Sequence, residues 1–303
     1  METILITGAS GLIGSHLTSL LKDKGYRVIH LSRKAGSRNG IVTFVWDLKK
    51  RMIDDDAVKQ ADHIIHLAGA GIADERWNDA RKKEVIDSRT KSSELLFESI
   101  KRCNQHLKTF VAASAIGYYG AITNEKIHTE TDLPATDFMG TTCKLWEESV
   151  DPIAQLGART VKIRVGIVLA ADGGALEKMM APVRFGVGSP LGTGKQYMPW
   201  IHMDDMCGIF IKAIEDKQMH GIYNGVAPQH INNKELMQAI AKVMHRPFFF
   251  PNVPSVVLKV IFGEMAEMFL EGSRVSDEKI LKAGYLFKHP GLNEALQNLL
   301  KQG

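Results

Sequence analysis

The sequence predicts an α/β chain: a doubly wound parallel sheet followed by a small, mostly helical C-terminal region. Three observations carry this prediction. The chain opens on a strand, a glycine turn, a helix and a second strand in immediate succession. Apolar, β-rich runs then alternate with helical stretches through the first two thirds, the pattern of a parallel sheet buried on both faces. In the last third, glycine-rich crossings, helices and a proline-punctuated turn take over.

Ile4, Leu5 and Ile6 form the first strand, which runs into TGASGLIG at 7–14 and a helix ending near Lys24. The second strand, 27–31, stops at Ser32, Arg33 and Lys34. Further strands follow at 41–46, closed by Asp47 and Leu48, and at 63–67, 110–113 and 161–169. Residues 84–101 read as a helix with Leu95, Leu96 and Ile100 on one face, and 145–156 as another. Gly173, Gly174, Gly186, Gly188, Gly192 and Gly194 mark a crossing through which apolar residues run. After it come a helix at 204–214, a strand at 221–226, a helix at 233–244 and a turn region at 247–254. The helix at 256–270 is apolar around most of its circumference, which places it in a buried core or, less often, in a groove wall or subunit contact. This gives a first domain over 1–228, whose crossing at 171–199 contributes to the substrate cleft, and a C-terminal cap over 229–303.

Composition narrows the partners. The chain has 303 residues, 45% hydrophobic and 24% charged, with a net charge of +4. Basic residues are interleaved with acidic ones, so no nucleic-acid footprint stands out. Cys103, Cys143 and Cys207 are odd in number, far apart and without metal spacing, which suits a reducing compartment. Met1 and Glu2 lead directly into the first strand, and charges interrupt every apolar run before the roughly 18 residues of a membrane span. The expectation is a cytoplasmic protein without membrane association, a monomer or homodimer.

The opening unit points to a dinucleotide. Gly8, Ser10, Gly11, Leu12, Ile13 and Gly14 lie between a strand and a helix, where backbone N–H groups and the helix N-terminus meet a pyrophosphate. NAD binders place an Asp or Glu about 20 residues further on. Here Ser32, Arg33 and Lys34 stand 18 to 20 residues past Gly14, with no carboxylate among them. A guanidinium grips a 2′-phosphate that a carboxylate would repel, so NADP is expected. The alternative is a solvated basic strand end.

Eight segments together resemble one family. They are TGASGLIG at 7–14, HLAGAGI at 66–72, SRTKSSELL at 88–96, SAIGYYG at 114–120, KLWEE at 144–148, PWIHMDD at 199–205, NGVAP at 224–228 and LEGSRV at 270–275. The chain resembles the extended short-chain dehydrogenase/reductases of the nucleotide-sugar epimerase superfamily, nearly end to end. Within them it is similar to the atypical branch labelled epimerase family proteins, which ends in a domain of unassigned role. That likeness implies a Rossmann fold and further site residues. Leu67 and Ala68, followed by Gly69, stand where relatives pass beneath the adenosine and diphosphate. Asp47 and Leu48 end the third strand, where an Asp meets the adenine amino group. Glu84 and Arg89 open the long helix, the arginine toward phosphate or nicotinamide ribose and the glutamate holding it. Val168 is implied near the nicotinamide. Leu67, Ala68 and Val168 read equally well as core, and the two roles are compatible.

Typical members of the superfamily move hydride with a Ser/Thr and a Tyr-x-x-x-Lys pair, the phenol serving as acid or base. Lys144 stands in the matching segment, but Gly140 occupies the tyrosine place, and of its neighbours only Cys143 carries an ionisable group. Ser114 is the one Ser/Thr of its strand end, although counting four back from Tyr119 lands on Ala115. Tyr118 and Tyr119 are the phenols within reach of the cleft, Tyr119 favoured by its pairing with Gly120; each also reads as structural packing. The catalytic set expected from sequence is Ser114, Tyr119 and Lys144. His202, with Asp204 and Asp205 nearby, reads chiefly as part of a helix start that one of the aspartates caps. His63 and His66 lack a third ligand, so no metal is expected.

The resulting expectation is an NADP-binding oxidoreductase or isomerase of a small polar substrate, without the usual tyrosine and with little turnover of nucleotide sugars. Lys144, Ser114 and Arg89 around one cleft favour catalysis over the alternatives. Those are a non-catalytic NADP sensor, for which relatives labelled as cell-division inhibitors offer a fold-level analogy, or a cofactor held as a structural element. The segment from Gln229 onward is expected to cover the nicotinamide end, with the crossing at 186–194 as the opposite wall.

Overall fold

The computed structural model describes residues 1–38 and 40–300. Its strands, in chain order, are β1 (Thr3–Thr7), β2 (Arg27–Ser32), β3 (Gly36–Arg38), β4 (Ile41–Asp47), β5 (Met52–Ile53), β6 (His63–His66) and β7 (Thr109–Ala115). They continue with β8 (Ile127–His128), β9 (Arg159–Val165), β10 (Ile167–Ala170), β11 (Trp200–His202), β12 (Gly221–Gly225) and β13 (Arg274–Val275). The helices are α1 (Leu12–Asp23), α2 (Asp55–Lys59), α3 (Asp79–Cys103), α4 (Phe138–Ala154), α5 (Gly174–Arg184) and α6 (Met203–Glu215). After them come α7 (Asn233–Val243), α8 (Ser255–Phe262), α9 (Glu267–Leu270), α10 (Glu278–Lys282) and α11 (Leu292–Leu300).

The main sheet runs β12-β9-β7-β6-β1-β2-β4-β3, with β5 on the flank of β4. All neighbours from β12 to β4 are parallel, and β3 and β5 are antiparallel additions. The chain moves outward from β1 to β2 and β4, then recrosses to β6 and works outward the other way. Right-handed crossovers in opposite directions put α1 on one face and α3 and α4, packed together, on the other; α6, reached through β10 and β11, packs on α1. Ile4, Leu5, Ile6, Ile64, Ile65, Phe110, Val111 and Ile163 fill the layer between, all buried. The order reverses between β1 and β6, and ligands of such sheets sit beyond the strand ends at that point.

Three expectations change. The strand read as 161–169 breaks at Gly166, where the chain changes partners: Gly166 N–H donates to Gly225 O at 3.0 Å and Ile167 N–H to Pro199 O at 2.8 Å. A Cβ there would lie 2.6 Å from Pro199 O, so the crossing needs glycine. β10 consequently pairs with β11 outside the main sheet. The helix read as 256–270 stops at Gly263, whose φ is +62°, and resumes in a 3-10 turn and α9. Only part of it is core: Leu258, Met265 and Ala266 are buried, whereas Val256 and Val260 are 68% and 71% exposed, and Met268 lines a cleft wall. Finally, a second core joins Leu169, Leu176, Met180 and Trp200 to Leu236, Ile240, Leu296 and Leu299. The unit beyond the sheet is therefore assembled from the glycine-rich crossing and the C-terminal segment together, across the boundary read at 228.

Candidate functional site

Strand register brings the opening glycines to the switch point. Thr7 pairs with Leu31 on one side and His66 on the other, so Gly8, Ser32 and Leu67 leave the sheet side by side. Thr7 Oγ1 accepts the N–H groups of Leu67 and Ala68, both at 3.2 Å. Gly8 has φ +69° and no room for a side chain, since a Cβ would lie 2.9 Å from Ala68 N. At Gly14 a Cβ would lie 2.5 Å from Gly8 O, so α1 begins pressed onto the turn. Gly11 caps α1 without a side-chain acceptor, and no acidic residue stands in the first turn. Ser10 and Gly11 are exposed. The first-turn amides thus remain available to an anion.

Other expected residues gather along the same edge. Ser32 ends β2, and Arg33 and Lys34 beyond it are exposed, with no ion pair among the described residues. Asp47 Oδ1 accepts from Lys49 and Lys50 N–H groups at 2.9 and 3.1 Å, while Leu48 packs on the core. Gly69 lies against Arg89, whose guanidinium donates to Ala70 O at 3.0 Å and stacks 4.9 Å from the Trp146 ring. Val168 belongs to β10, and the turn that follows packs Gly174 on Leu12 of the glycine turn. Glu84 does not hold Arg89. It is exposed and takes Arg81 Nη1 at 2.8 Å, whereas buried Arg81 also ties down Gly71 O.

Beyond the end of β7 lies a cleft of about 390 Å³. Its floor is Ala115, Ile116 and Gly117, and one wall is Trp77 with Phe138 and Met139 at the start of α4. Gly166, Ile167 and the 197–199 stretch form the opposite wall. Glu264, Glu267, Met268, Glu271, Gly272, Ser273 and Val275 cover it. The C-terminal segment therefore lines this cleft from above. The facing wall is 197–199, not 186–194: the crossing packs instead on the C-terminal segment, where a Cβ at Gly192 would meet Leu270 and the Gly192 N–H donates to Val253 O.

The cleft is not built around the expected catalytic set. Lys144 is 52% exposed and pairs with Glu148 at 3.7 Å, on the outer side of α4. Gly140 packs on the 135 loop, where a Cβ would lie 2.3 Å from Ala135 O. Met139 and Cys143 instead form the four-residue pair on the inner face: a Cβ at Gly117 would lie 2.7 Å from Met139 Cε and 3.6 Å from Cys143 Sγ. Burial, then the Glu147 carboxylate, pushes the Cys143 thiol up to about 12, so it is no base. Ser114 points away from the cleft and donates to Glu147 Oε1 at 2.7 Å. Tyr119 is buried, donating to Asn224 Oδ1 at 2.6 Å and accepting from Arg164 Nη1 at 2.9 Å. Burial raises its phenol to about 12. Ala115, Met139 and Cys143 thus occupy the floor and helix positions where Ser114, the missing tyrosine and Lys144 were expected.

The buried partners explain the shift. Glu147 and Arg164 form an ion pair behind the cleft floor and recruit the nearest hydroxyls, Ser114 and Tyr119. Sequence reading missed this pair, because RTVKIRV at 159–165 and KLWEESVD at 144–151 each carry several charges and neither partner stands out. His202 caps α6 itself, its Nδ1 accepting Asp204 N–H at 3.0 Å, in place of the aspartates. Asp205 anchors the C-terminal segment through the N–H groups of Lys288 and His289 and the hydroxyl of Tyr285. His202, Asp204 and His289 bring ligand atoms within 4.8 Å of one another, but both His202 nitrogens are already engaged, Nε2 with Asn298. Among the described residues no helix is long and apolar enough to cross a membrane.

Comparison with known proteins agrees with this architecture. Residues 4–148 match the model of the NAD dependent epimerase/dehydratase family, and 253–299 match a domain of unknown function, DUF1731. Epimerase family protein SDR39U1 of Homo sapiens is 34% identical over 300 residues, 98% of this chain and 99% of that protein. Epimerase family protein YfhF of Bacillus subtilis is 32% identical over 298 residues, 98% and 97% of the two chains. The crystal structure of human SDR39U1 with NADPH superimposes with a TM-score of 0.88 at 32% identity, covering 99% of this chain and 100% of that one.

Proposed function

The chain belongs to the NAD dependent epimerase/dehydratase family, and from that premise we propose that it binds NADP(H) and acts as an oxidoreductase or isomerase of a small molecule held in the 390 Å³ cleft. One observation carries the reading: the uncapped glycine turn, the Ser32-Arg33 strand end and the cleft follow one another along a single sheet edge. The human relative crystallised with NADPH supports the choice of dinucleotide. Gly8, Ser10, Gly11, Leu12, Ile13 and Gly14 would hold the pyrophosphate, and Ser32 and Arg33 the 2′-phosphate. Asp47, Leu48, Leu67, Ala68 and Gly69 would border the adenosine. Arg89 and Val168 would stand toward the nicotinamide, which supplies or accepts a hydride when bound.

The role of this chain's own residues is to bind, orient and exclude water. The cleft floor offers no hydroxyl, phenol or ammonium, and the proton-bearing groups elsewhere in the lining are engaged: Tyr197 with Glu125, Ser273 with Gly120 O and Lys82 with Glu264. That same absence favours a second reading, a non-catalytic NADP sensor whose cover responds to the dinucleotide. Native mass spectrometry of the purified chain, followed by calorimetric titration with NADPH and NADH, tests the cofactor. Absence of both retention and micromolar binding of NADPH would refute both readings, and a broad metabolite panel monitored for NADPH oxidation separates them.

A further inference from the structure

We propose that the cleft takes an apolar molecule bearing positive charge, an amine or other organic cation, and excludes nucleotide-diphosphate sugars. The proposal names the substrate class of the site assigned above and rests on that reading. It departs from the small polar substrate that the sequence suggests. The walls are apolar and adaptable: Trp77, Ile116, Phe138, Met139, Met198 and Met268 face the space, and methionines mould to irregular apolar shapes. Trp77 and Phe138 stand edge to face at 4.8 Å. A cation already uses this aromatic wall, for Lys82 Nζ sits 5.6 Å over the Phe138 ring.

The charged groups of the lining are Asp137, Glu264, Glu267, Glu271 and Lys82. Lys82 is tied to Glu264, so it is no free phosphate ligand. Asp137 is spent on the fold, receiving Gly140 N–H at 2.7 Å and Ala121 N–H at 2.9 Å. By capping α4 it also closes the helix N-terminus at the cleft to an anion. Glu267 and Glu271 have no cationic partner among the described residues. The nearest arginines lie outside the lining: Arg76 donates to Val260 O, and Arg274 pairs with Glu125 at 3.2 Å. A diphosphate requires paired cationic donors or an open helix start, and the cleft provides two unpaired carboxylates instead. Two glutamates over apolar and aromatic walls attract an organic cation through both its charge and its hydrocarbon.

Calorimetric titration of the full chain with phenethylamine, phenethyl alcohol and UDP-glucose, with and without saturating NADPH, is the test. The amine is expected to bind roughly tenfold more tightly than the isosteric alcohol, a preference that added salt weakens. UDP-glucose is expected to give no binding heat. In the double variant Glu267→Gln, Glu271→Gln the amine and alcohol should bind equally, at an unchanged melting temperature. Equal affinities in the parent chain, binding of UDP-glucose, or binding of neither phenethyl probe would overturn the proposal. Titration with NADPH alone reads the cofactor assignment separately, so the two can fail independently.

Discussion

Arg164 grips Glu147 with two donors along one edge of its guanidinium, Nε to Oε1 at 2.8 Å and Nη2 to Oε2 at 2.9 Å, inside the fold. Every nitrogen and carboxylate oxygen of the pair has a partner: Ser114 also donates to Oε1, Nη1 reaches Tyr119, and the guanidinium stacks 3.4 Å from the Tyr118 ring. A buried charge pair is tolerated only when satisfied in this way. The network therefore decides where Ser114 and Tyr119 point, and leaves Ala115 to face the cleft.

Breaking that pair should be costly. Glu147→Gln keeps the shape, removes one charge and leaves a buried guanidinium uncompensated. Stability should fall by about 3–5 kcal/mol, read as a lower urea midpoint. An unmoved midpoint would mean that water reaches Arg164 and shares its charge.

Tyr119 and Lys144 should behave in opposite ways. Tyr119→Phe strips the partners from Asn224 Oδ1 and Arg164 Nη1 and should cost about 1–3 kcal/mol of stability. Lys144→Ala removes only an exposed pair with Glu148 and should stay within about 0.5 kcal/mol. Neither substitution should alter NADPH affinity. A tenfold loss of affinity in Lys144→Ala would place its ammonium at the cofactor after all.

What could be read from sequence was whatever local chemistry fixes. The turn from Gly8 to Gly14 is dictated by backbone that tolerates no Cβ, and its neighbours Ser32 and Leu67 follow from strand ends. Misreadings arose where tertiary contacts choose between equal local options. Spacing alone could not tell that Gly140 packs on Ala135, with Met139 and Cys143, instead of Lys144, turned toward Gly117. Apolarity at 256–270 suggested core, but the left-handed break at Gly263 leaves Val256 and Val260 in solvent. Glu267 lies in no motif and Glu271, although inside LEGSRV, had no role assigned; both became visible only when folding set them over the apolar wall.

His66 should make stability depend on pH. It is fully buried between Thr7 Oγ1 at 2.7 Å and Ser92 Oγ at 3.1 Å. Burial, reinforced by the Arg89 charge, holds its pKa down to about 3 against an ordinary 6.5. Between those values the unfolded chain binds a proton that the folded chain refuses. Its contribution is therefore complete above about pH 6.5 and is lost as pH falls toward 3, at up to about 1.4 kcal/mol per pH unit. Burial also depresses His30, His63 and His202, which adds slope of the same sign. The informative quantity is thus the difference between chains: His66→Gln should show a shallower loss in urea titrations between about pH 6 and pH 4. Identical slopes would mean that His66 is protonated in the folded state.

Selection of NADP over NAD should rest on the end of β2. Arg33 is exposed there, with no ion pair among the described residues, and no carboxylate stands at Ser32, Arg33 or Lys34. A guanidinium that meets a 2′-phosphate makes charge-assisted hydrogen bonds worth about 1.5–3 kcal/mol, which corresponds to a tenfold or greater preference. Arg33→Ala should therefore weaken NADPH binding by at least about tenfold while leaving NADH nearly unchanged, and the NADPH affinity of the parent chain should fall as salt screens the contact. Arg33→Lys should recover only part of the loss, because an ammonium lacks the paired planar donors. Calorimetry on the three chains at two salt concentrations provides the measurement. Equal affinities for the two dinucleotides in the parent chain would return Arg33 and Lys34 to the role of a solvated strand end.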